Sequence, residues 1–446
     1  MIKRLLIANR GEIAVRIIRT CRMMNITTIA IYSEADKDSL HVQLADEAYC
    51  IGPNQSIDSY LDIERILEAC RMSKAEAIHP GYGFLSESTT FRKRVDEENL
   101  IFVGPSYSTM DLMGDKIKAR ETMYNADVPI IPGSIGEVTD VADAKNIAKE
   151  INYPFVIKAA SGGGGKGIRI VNDETEVEKY FKEAQSEGEK YFNDKRVYIE
   201  AFIDKARHVE VQVLGSKHKE AVHLGERDCS IQRKNQKLIE EAPCAALDKD
   251  TRDSLHEDAV KAALACDYEG AGTIEFLLTD DGYYFLEMNT RIQVEHTVTE
   301  LLTDIDLIKQ QILMANGEHL KIKQEDINFN GHVIECRINA EDPEKKFRPA
   351  AGKVNALHLP NGFNTRIDSM LYNGYEIPPY YDSLVAKILV KGANRQEAIE
   401  KMKGTLEETV IEGFPTTLDF LYRVLSYQPY IDNDITIKFL HEHKIV

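Results

Sequence analysis

The chain has 446 residues, 43% of them hydrophobic and 29% charged, the composition of an ordinary globular protein with room for more than one domain. A formal net charge of −18 argues against nucleic acid as the main partner, because phosphate contacts need clustered Lys and Arg, although a local basic pocket for a nucleotide is compatible with it. The scattered cysteines form no CxxC pair, which argues against zinc and structural disulfides, and no apolar run reaches membrane length, so a cytoplasmic protein with reduced thiols is expected.

Residues 3–8 form an apolar run followed by Gly11 and an amphipathic pattern over 12–24, and 27–32 reads as a second strand. This βαβ opening carries Asn9-Arg10-Gly11-Glu12-Ile13 in place of GxGxxG, so no nicotinamide or flavin site is assigned. Further strands at 77–79 and 100–103, with helical stretches between, predict a parallel α/β domain over roughly 1–113. His79-Pro-Gly-Tyr-Gly-Phe-Leu-Ser-Glu87 then lies in a loop at a strand's carboxyl end, where ligands bind in such sheets.

A unit over about 131–203 holds helical patterns at 141–151 and 174–187 around Pro154-Phe-Val-Ile-Lys-Ala-Ala-Ser-Gly-Gly-Gly-Gly-Lys-Gly-Ile-Arg-Ile-Val171. Strand, glycine loop, strand is the reading, and Lys166-Gly167 followed by a strand excludes a Walker A loop. Bare glycines can lay their amides on phosphate oxygens and move as a flap, and Lys158 on the incoming strand is expected near those phosphates. A plain glycine linker is the weaker reading between two apolar strands.

From about 204 the chain alternates in period two, as in His208-Val-Glu-Val-Gln-Val213. Residues 272–279 and 283–289 read as a hairpin closed by Asp280-Asp281-Gly282, with Thr279 opposite Tyr283 and hence Glu275 opposite Glu287. Facing carboxylates repel, and a divalent cation removes the penalty; Glu275, Glu287 and Asn289 suit Mg²⁺ or Mn²⁺. A surface hairpin with both acids in water is the competing reading. The alternation continues through Arg291, Gln293 and Glu295, which aligns guanidinium, amide and acid on the same extended face. Helices are expected at 251–265, 304–314, 395–409 and 416–426, and strands near 331–339 and 383–391.

With these residues in view, the chain resembles the biotin carboxylase family within the ATP-grasp fold. The resemblance rests on the blocks 7–14, 79–87, 113–116, 162–167, 225–230, 287–296, 335–342 and 378–383 in that order. It implies an α/β and α+β architecture: a Rossmann-like N-terminal domain (1–113), an ATP-grasp domain (114–317) with a glycine-flap lid (about 131–203), and a C-terminal mixed-sheet domain (331–446). It also implies ATP-dependent carboxylation of biotin on a separate carrier protein, the first half-reaction of acetyl-CoA carboxylase or of a related acyl-CoA carboxylase. Bicarbonate would be activated as carboxyphosphate.

By matching positions, Lys116 and Lys158 correspond to phosphate-binding lysines, and Gly164 and Gly165 to the lid over the phosphates. Glu200, Ala201, Phe202 and Ile203 correspond to the adenine hinge, and His208, Gln232 and Asn235 to further nucleotide contacts. Glu275, Glu287 and Asn289 correspond to ligands for two metal ions; Lys237, Arg291, Gln293 and the Val294 amide to the bicarbonate site; Glu295 to the general base; Arg337 to the partner of the ureido oxygen; and Tyr82 to a wall of the biotin pocket. Asn235, Ala201 and Thr297 depart from the family's usual His, basic residue and Pro. Neither a biotinyl-lysine motif nor a transferase domain is recognised, so carrier and carboxyltransferase are expected on other chains. A homodimer through Arg19, Phe363 and Arg366 is expected, weakened where Met23 replaces an acid. Another ATP-grasp carboxylate–amine ligase would share the lysines and the acidic hairpin but has no use for Tyr82, Arg291–Glu295 and Arg337. A regulatory nucleotide-binding subunit would be expected to lack Glu295 or Arg291, and both are present.

Overall fold

The computed structural model describes residues 1–161 and 167–445. The apolar run near the N-terminus becomes the strand Arg4–Ile7, and Gly11, with φ +67, opens the helix Gly11–Met23. That helix buries Ile13, Ile17, Ile18 and Cys21, the stripe its sequence period requires. Arg4–Ile7 lies at the centre of a five-stranded sheet, flanked by Thr27–Ser33 and Glu47–Gly52 on one side and Ala77–His79 and Ile101–Phe102 on the other. All its pairings are parallel. The strand Glu47–Gly52 is unanticipated, because its edge position exposes alternate residues and leaves no long apolar run.

The unit around 131–203 is a three-stranded antiparallel sheet, Ile168–Val171, Phe155–Ala159 and Val197–Ala201, backed by the helices Val141–Ile151 and Val177–Phe192. Phe155, Ile157, Val171, Phe181, Val197 and Ile199 belong to a hydrophobic core of its own, separate from the others. Burying each such side chain stabilises the unit by roughly 1.5–3 kcal/mol, which allows a small sheet to fold around its own centre.

The remaining strands build one eight-stranded antiparallel sheet, in the order Gly282–Asn289, Gly270–Thr279, Arg207–Ser216, Glu220–Arg233, Gln236–Ala242, His332–Asn339, Leu384–Gly392 and Thr365–Ser369. The ladder passes from Ile239 to Cys336 and from Glu240 to Glu335, so the segments 114–317 and 331–446 share a single sheet. One face packs against the N-terminal domain: Leu214, Leu224 and Ala271 share a core with Leu5, Ile7 and Ile13. The helix Lys249–Ala265 covers another part through Leu255, Ala259 and Ala262. No helix among the described residues is long and apolar enough to cross a membrane.

Candidate active site

The acidic hairpin forms by a different route from the one expected. Its turn holds two residues, Asp280 and Asp281, and Thr279 pairs with Gly282 where Tyr283 was expected. The strands then run in step to Phe276 opposite Phe285, a pair buried edge-to-face at 6.5 Å between centroids. A bulge between Glu275 and Phe276 leaves Leu286 without a partner, and this extra residue restores Glu275 opposite Glu287. The shorter turn and the bulge offset each other. Asn289 follows on the same strand, opposite Thr273, and its side-chain amide donates to Glu275 Oε1 at 2.9 Å.

The extended alternation does not run on to Glu295. The strand ends at Asn289, and Glu295 is the N-cap of the helix His296–Thr303. Residues 290–294 turn between the two, held by Lys387, whose Nζ donates to the Val294 carbonyl at 2.6 Å, and by a 2.7 Å contact between His296 Nδ1 and the Gln293 carbonyl. Arg291, Gln293, Val294 and Glu295 nevertheless line one cavity of about 760 Å³, together with Tyr82, Lys116, His208, Gln232, Asn235, Lys237, Glu275, Glu287, Asn289 and Arg337.

The cavity floor is an ionic network. Lys237 Nζ lies 2.6 Å from Glu295, 2.5 Å from Glu210 and 3.1 Å from Glu275. Arg337 spans Glu295 at 2.8 Å and Glu240 at 2.6 Å. Arg291 Nε donates to Glu87 at 3.0 Å, and its Nη2 donates to Asn289 Oδ1 at 2.9 Å. Gln293 donates to Glu275 at 2.9 Å and accepts from Arg227 at 2.8 Å. Burial opposes the charge on Glu295, but Lys237, Arg337 and Arg227 outweigh it and hold the carboxyl well below its usual range. Glu287 is pushed the other way, upward, by burial and then by the like charge of Glu275; its nearest ammonium, Lys116, is 3.7 Å away. That repulsion, with an all-oxygen donor set of Glu275, Glu287 and the Asn289 amide, fits a hard divalent cation.

At the nucleotide end the expected residues divide. Lys116 opens the helix Lys116–Asn125 beside Glu287, and His208 Nε2 lies 3.1 Å from Glu275. Asn235 closes the turn between Glu220–Arg233 and Gln236–Ala242 with φ +63, a left-handed conformation that asparagine tolerates. Leu277, Leu286 and Ile437 add an apolar lining that the sequence had not singled out. Lys158 and Glu200 do not reach this cavity: Lys158 donates to Glu200, which also accepts from Arg120, and Glu200 lines a second cavity of about 300 Å³ with Lys116, Tyr198 and Glu287. The Ala201 amide donates to the Pro132 carbonyl at 2.7 Å and the Phe202 amide to Pro154 at 3.3 Å, and neither these two nor Ile203 line either cavity. Gly164 and Gly165 lie outside the described residues.

Several residues that organise the floor were not anticipated. Arg227 is fully buried and donates to Glu210, Gln212, Thr273, Gln293 and Thr299. Lys387, also fully buried, stands 3.3 Å from Glu12, which accepts a hydrogen bond from Tyr82. Arg227 falls in the block 225–230 between Glu226 and Asp228, and nothing in that charged stretch marks it as buried. Lys387 did offer a signal, as a lone charge inside the apolar run Leu384–Val390 of the strand Leu384–Gly392.

Comparison with known proteins places the chain by family and fold. Family models described as the biotin carboxylase N-terminal domain, the carbamoyl-phosphate synthase L chain ATP-binding domain and the biotin carboxylase C-terminal domain match residues 1–110, 115–323 and 335–442. Biotin carboxylase 1 of Bacillus subtilis is 52% identical over the full length of both chains. A Campylobacter jejuni biotin carboxylase, solved as a β,γ-ATP complex, superposes with a TM-score of 0.94 at 48% identity and 99% coverage of each chain. The biotin carboxylase domain of Hydrogenobacter thermophilus 2-oxoglutarate carboxylase, solved as a dimer with MgADP, ADP and bicarbonate, superposes at 0.93 with 47% identity, covering all of this chain and 98% of that one.

Proposed function

The chain belongs to the biotin carboxylase family of ATP-dependent ligases, with the ATP-grasp fold, and from that premise we propose that its cavity activates bicarbonate with ATP and carboxylates biotin presented by a separate carrier protein. The observation that carries this reading is Glu295 gripped between Lys237 and Arg337, at 2.6 and 2.8 Å, within reach of one cavity that also holds Arg291 and the Glu275–Glu287 pair.

Bicarbonate is a poor nucleophile. Arg291 and Lys237 supply a cationic fork for its oxygens, with the Gln293 side chain and the Val294 amide beside them. As Lys237 and Arg337 turn from Glu295 to substrate oxygens, the charges that depress its pKa are shared, and the carboxylate becomes a stronger base for the bicarbonate proton. Glu275, Glu287 and Asn289 would hold Mg²⁺, or Mn²⁺, which supplies charge neutralisation on the triphosphate. Lys116, His208, Gln232 and Asn235 would contact the nucleotide. Closure of the unit at 131–203, which would also bring Lys158 and the 200–203 segment to the nucleotide, excludes water from the carboxyphosphate formed. Carboxyphosphate splits into CO₂ and phosphate, and the phosphate takes the proton from the ureido nitrogen of biotin held between Tyr82 and Arg337. The guanidinium stabilises the negative charge this leaves on the ureido oxygen, and the nitrogen adds to CO₂. The final acceptor we favour is acetyl-CoA, reached through separate carboxyltransferase subunits; one structural relative is the biotin carboxylase domain of a 2-oxoglutarate carboxylase. A second copy is placed across the face bearing Phe363, which is 86% exposed, and a monomeric sedimentation profile at micromolar protein would count against it.

The test is ADP release with Mg²⁺-ATP, biotin and bicarbonate, each omitted in turn, in the wild-type protein and in Glu295→Gln. Turnover should need all three, and the substitution should lower kcat by about 10²–10⁴-fold, the usual worth of a general base. Full activity in Glu295→Gln would overturn its role, and transfer to an amine in place of biotin would favour the carboxylate–amine ligase reading.

A further inference from the structure

Behind Arg337, on the sheet side of the cavity, lie two carboxyls that the reaction does not use. Glu240 and Glu335 are Cα partners on adjacent antiparallel strands, so their side chains leave the same face, and both are 0% exposed. Glu240 Oε1 accepts from Arg337 Nε at 2.6 Å, and Glu335 Oε2 accepts from the Thr297 hydroxyl. Among the described residues the remaining oxygens, Glu240 Oε2 and Glu335 Oε1, have no hydrogen-bond partner. Among the described residues Glu335 also has no cation within ion-pair distance: Lys387 on the neighbouring strand is engaged by the Val294 carbonyl and Glu12, and Arg337 is shared by Glu240 and Glu295. An unpaired ionised carboxyl at such depth is prohibitively costly, whereas a protonated one needs only an acceptor.

We propose that Glu335 is a protonated positioning residue that donates from Oε1 to Glu240 Oε2, fixing Glu240 as the single anion that holds Arg337 in place beside Glu295. The chain of donors then runs from Thr297 to Glu335 to Glu240, and Arg337 closes it from the other side. Each oxygen without a partner acquires one. Burial pushes Glu335 up to about 8, with Lys387 opposing and Glu240 reinforcing the shift, and Glu240 is itself raised to about 7, burial again leading. Loss of the proton as pH rises puts a second anion behind Arg337 and draws the guanidinium away from the cavity. This rests on the role given to Arg337 above.

The experiment compares kcat from pH 6 to 10 and the carboxylic-acid infrared band at pH 7 in wild type, Glu335→Gln and Thr297→Val. Glutamine keeps a donor for Glu240 and an acceptor for Thr297 but cannot ionise. The expected result is loss of one protonated-carboxyl band in Glu335→Gln, kcat within about threefold of wild type at pH 7, and disappearance of the alkaline fall that wild type shows above about pH 8. Thr297→Val, which removes a bond favouring the charged form, moves that fall to higher pH. An unchanged infrared band, or the same alkaline fall in Glu335→Gln, overturns the proposal. If wild type itself fails to turn over biotin and bicarbonate, the functional reading falls while the infrared comparison still decides where the proton sits.

Discussion

The unit at 131–203 and the floor of the large cavity are held together by opposite means. The first is a small sheet and two helices around a core that is apolar throughout, attached to the rest through polar contacts such as Arg120–Glu200 and Arg196–Asp115 at 2.8 Å. The second is a buried lattice of Arg227, Lys237, Arg337 and their carboxylates inside an eight-stranded sheet. Apolar cores stabilise without directing any one atom. Buried ion pairs add little net stability, because desolvation offsets the Coulomb term, but they fix where each charge points. The contrast therefore separates a part organised around its own apolar core from a part whose charges are held in register by the sheet.

The sharpest way to break the floor is Arg227→Met. It leaves Glu210 with Lys237 at 2.5 Å and the His208 imidazole at 3.7 Å, and takes a donor away from Gln212, Gln293, Thr273 and Thr299. Loss of one partner from a buried pair costs about 3–5 kcal/mol, so the urea midpoint should fall accordingly, with bicarbonate-dependent turnover lost as well. A midpoint within experimental error of wild type would show that the lattice is better hydrated than its burial indicates.

Phe155→Ala tests the other side of the comparison. Phe155 is 0% exposed at the centre of the small core, and truncation should cost about 3–5 kcal/mol, paid locally. Amide exchange should rise across 141–201 and stay unchanged in the strands Arg207–Ser216 and Gln236–Ala242. Equal loss of protection in both regions would mean that they unfold as one.

Acid supplies the smallest and most graded test. Glu226, next to Arg227 in the strand but paired with the helix Lys249–Ala265, is lowered to about 2: burial opposes the shift, but His256 at 2.6 Å and Arg252 at 2.9 Å outweigh it. A depressed carboxyl contributes stability above its unfolded value and loses it as pH falls through the folded one. The sheet should thus weaken between about pH 4.5 and 2, by at most about 3 kcal/mol, and Glu226→Gln should flatten that limb of the stability–pH curve. An unchanged acid limb in the variant would assign the loss to other carboxyls.

Much of this molecule is local enough to read from the chain. The helix Val141–Ile151 falls on the range its pattern indicates, and Thr27–Ser33 and Ala77–His79 fall within a residue of theirs, because hydrophobic period and caps such as Asp140 act over a few residues. The facing of Glu275 and Glu287 was also legible, although the turn that was expected to produce it is one residue shorter and the Leu286 bulge compensates. Neither has a signature in the local spacing, and between them the buried Phe285 lies edge-to-face against Phe276.

What only the tertiary structure decided is the pairing of charges. Arg291 and Glu295 are neighbours in sequence, yet the extended period expected to align them ends at Asn289, and it is a turn and a helix N-cap that bring both to the cavity. Arg227 and Lys237 come from one hairpin and Arg337 and Lys387 from strands much later in the chain, so that their partners depend on sheet order and register. A Coulomb interaction carries no signature in spacing along the backbone. It acquires its strength only once burial has removed the water between the groups, and burial is a property of the assembled sheet.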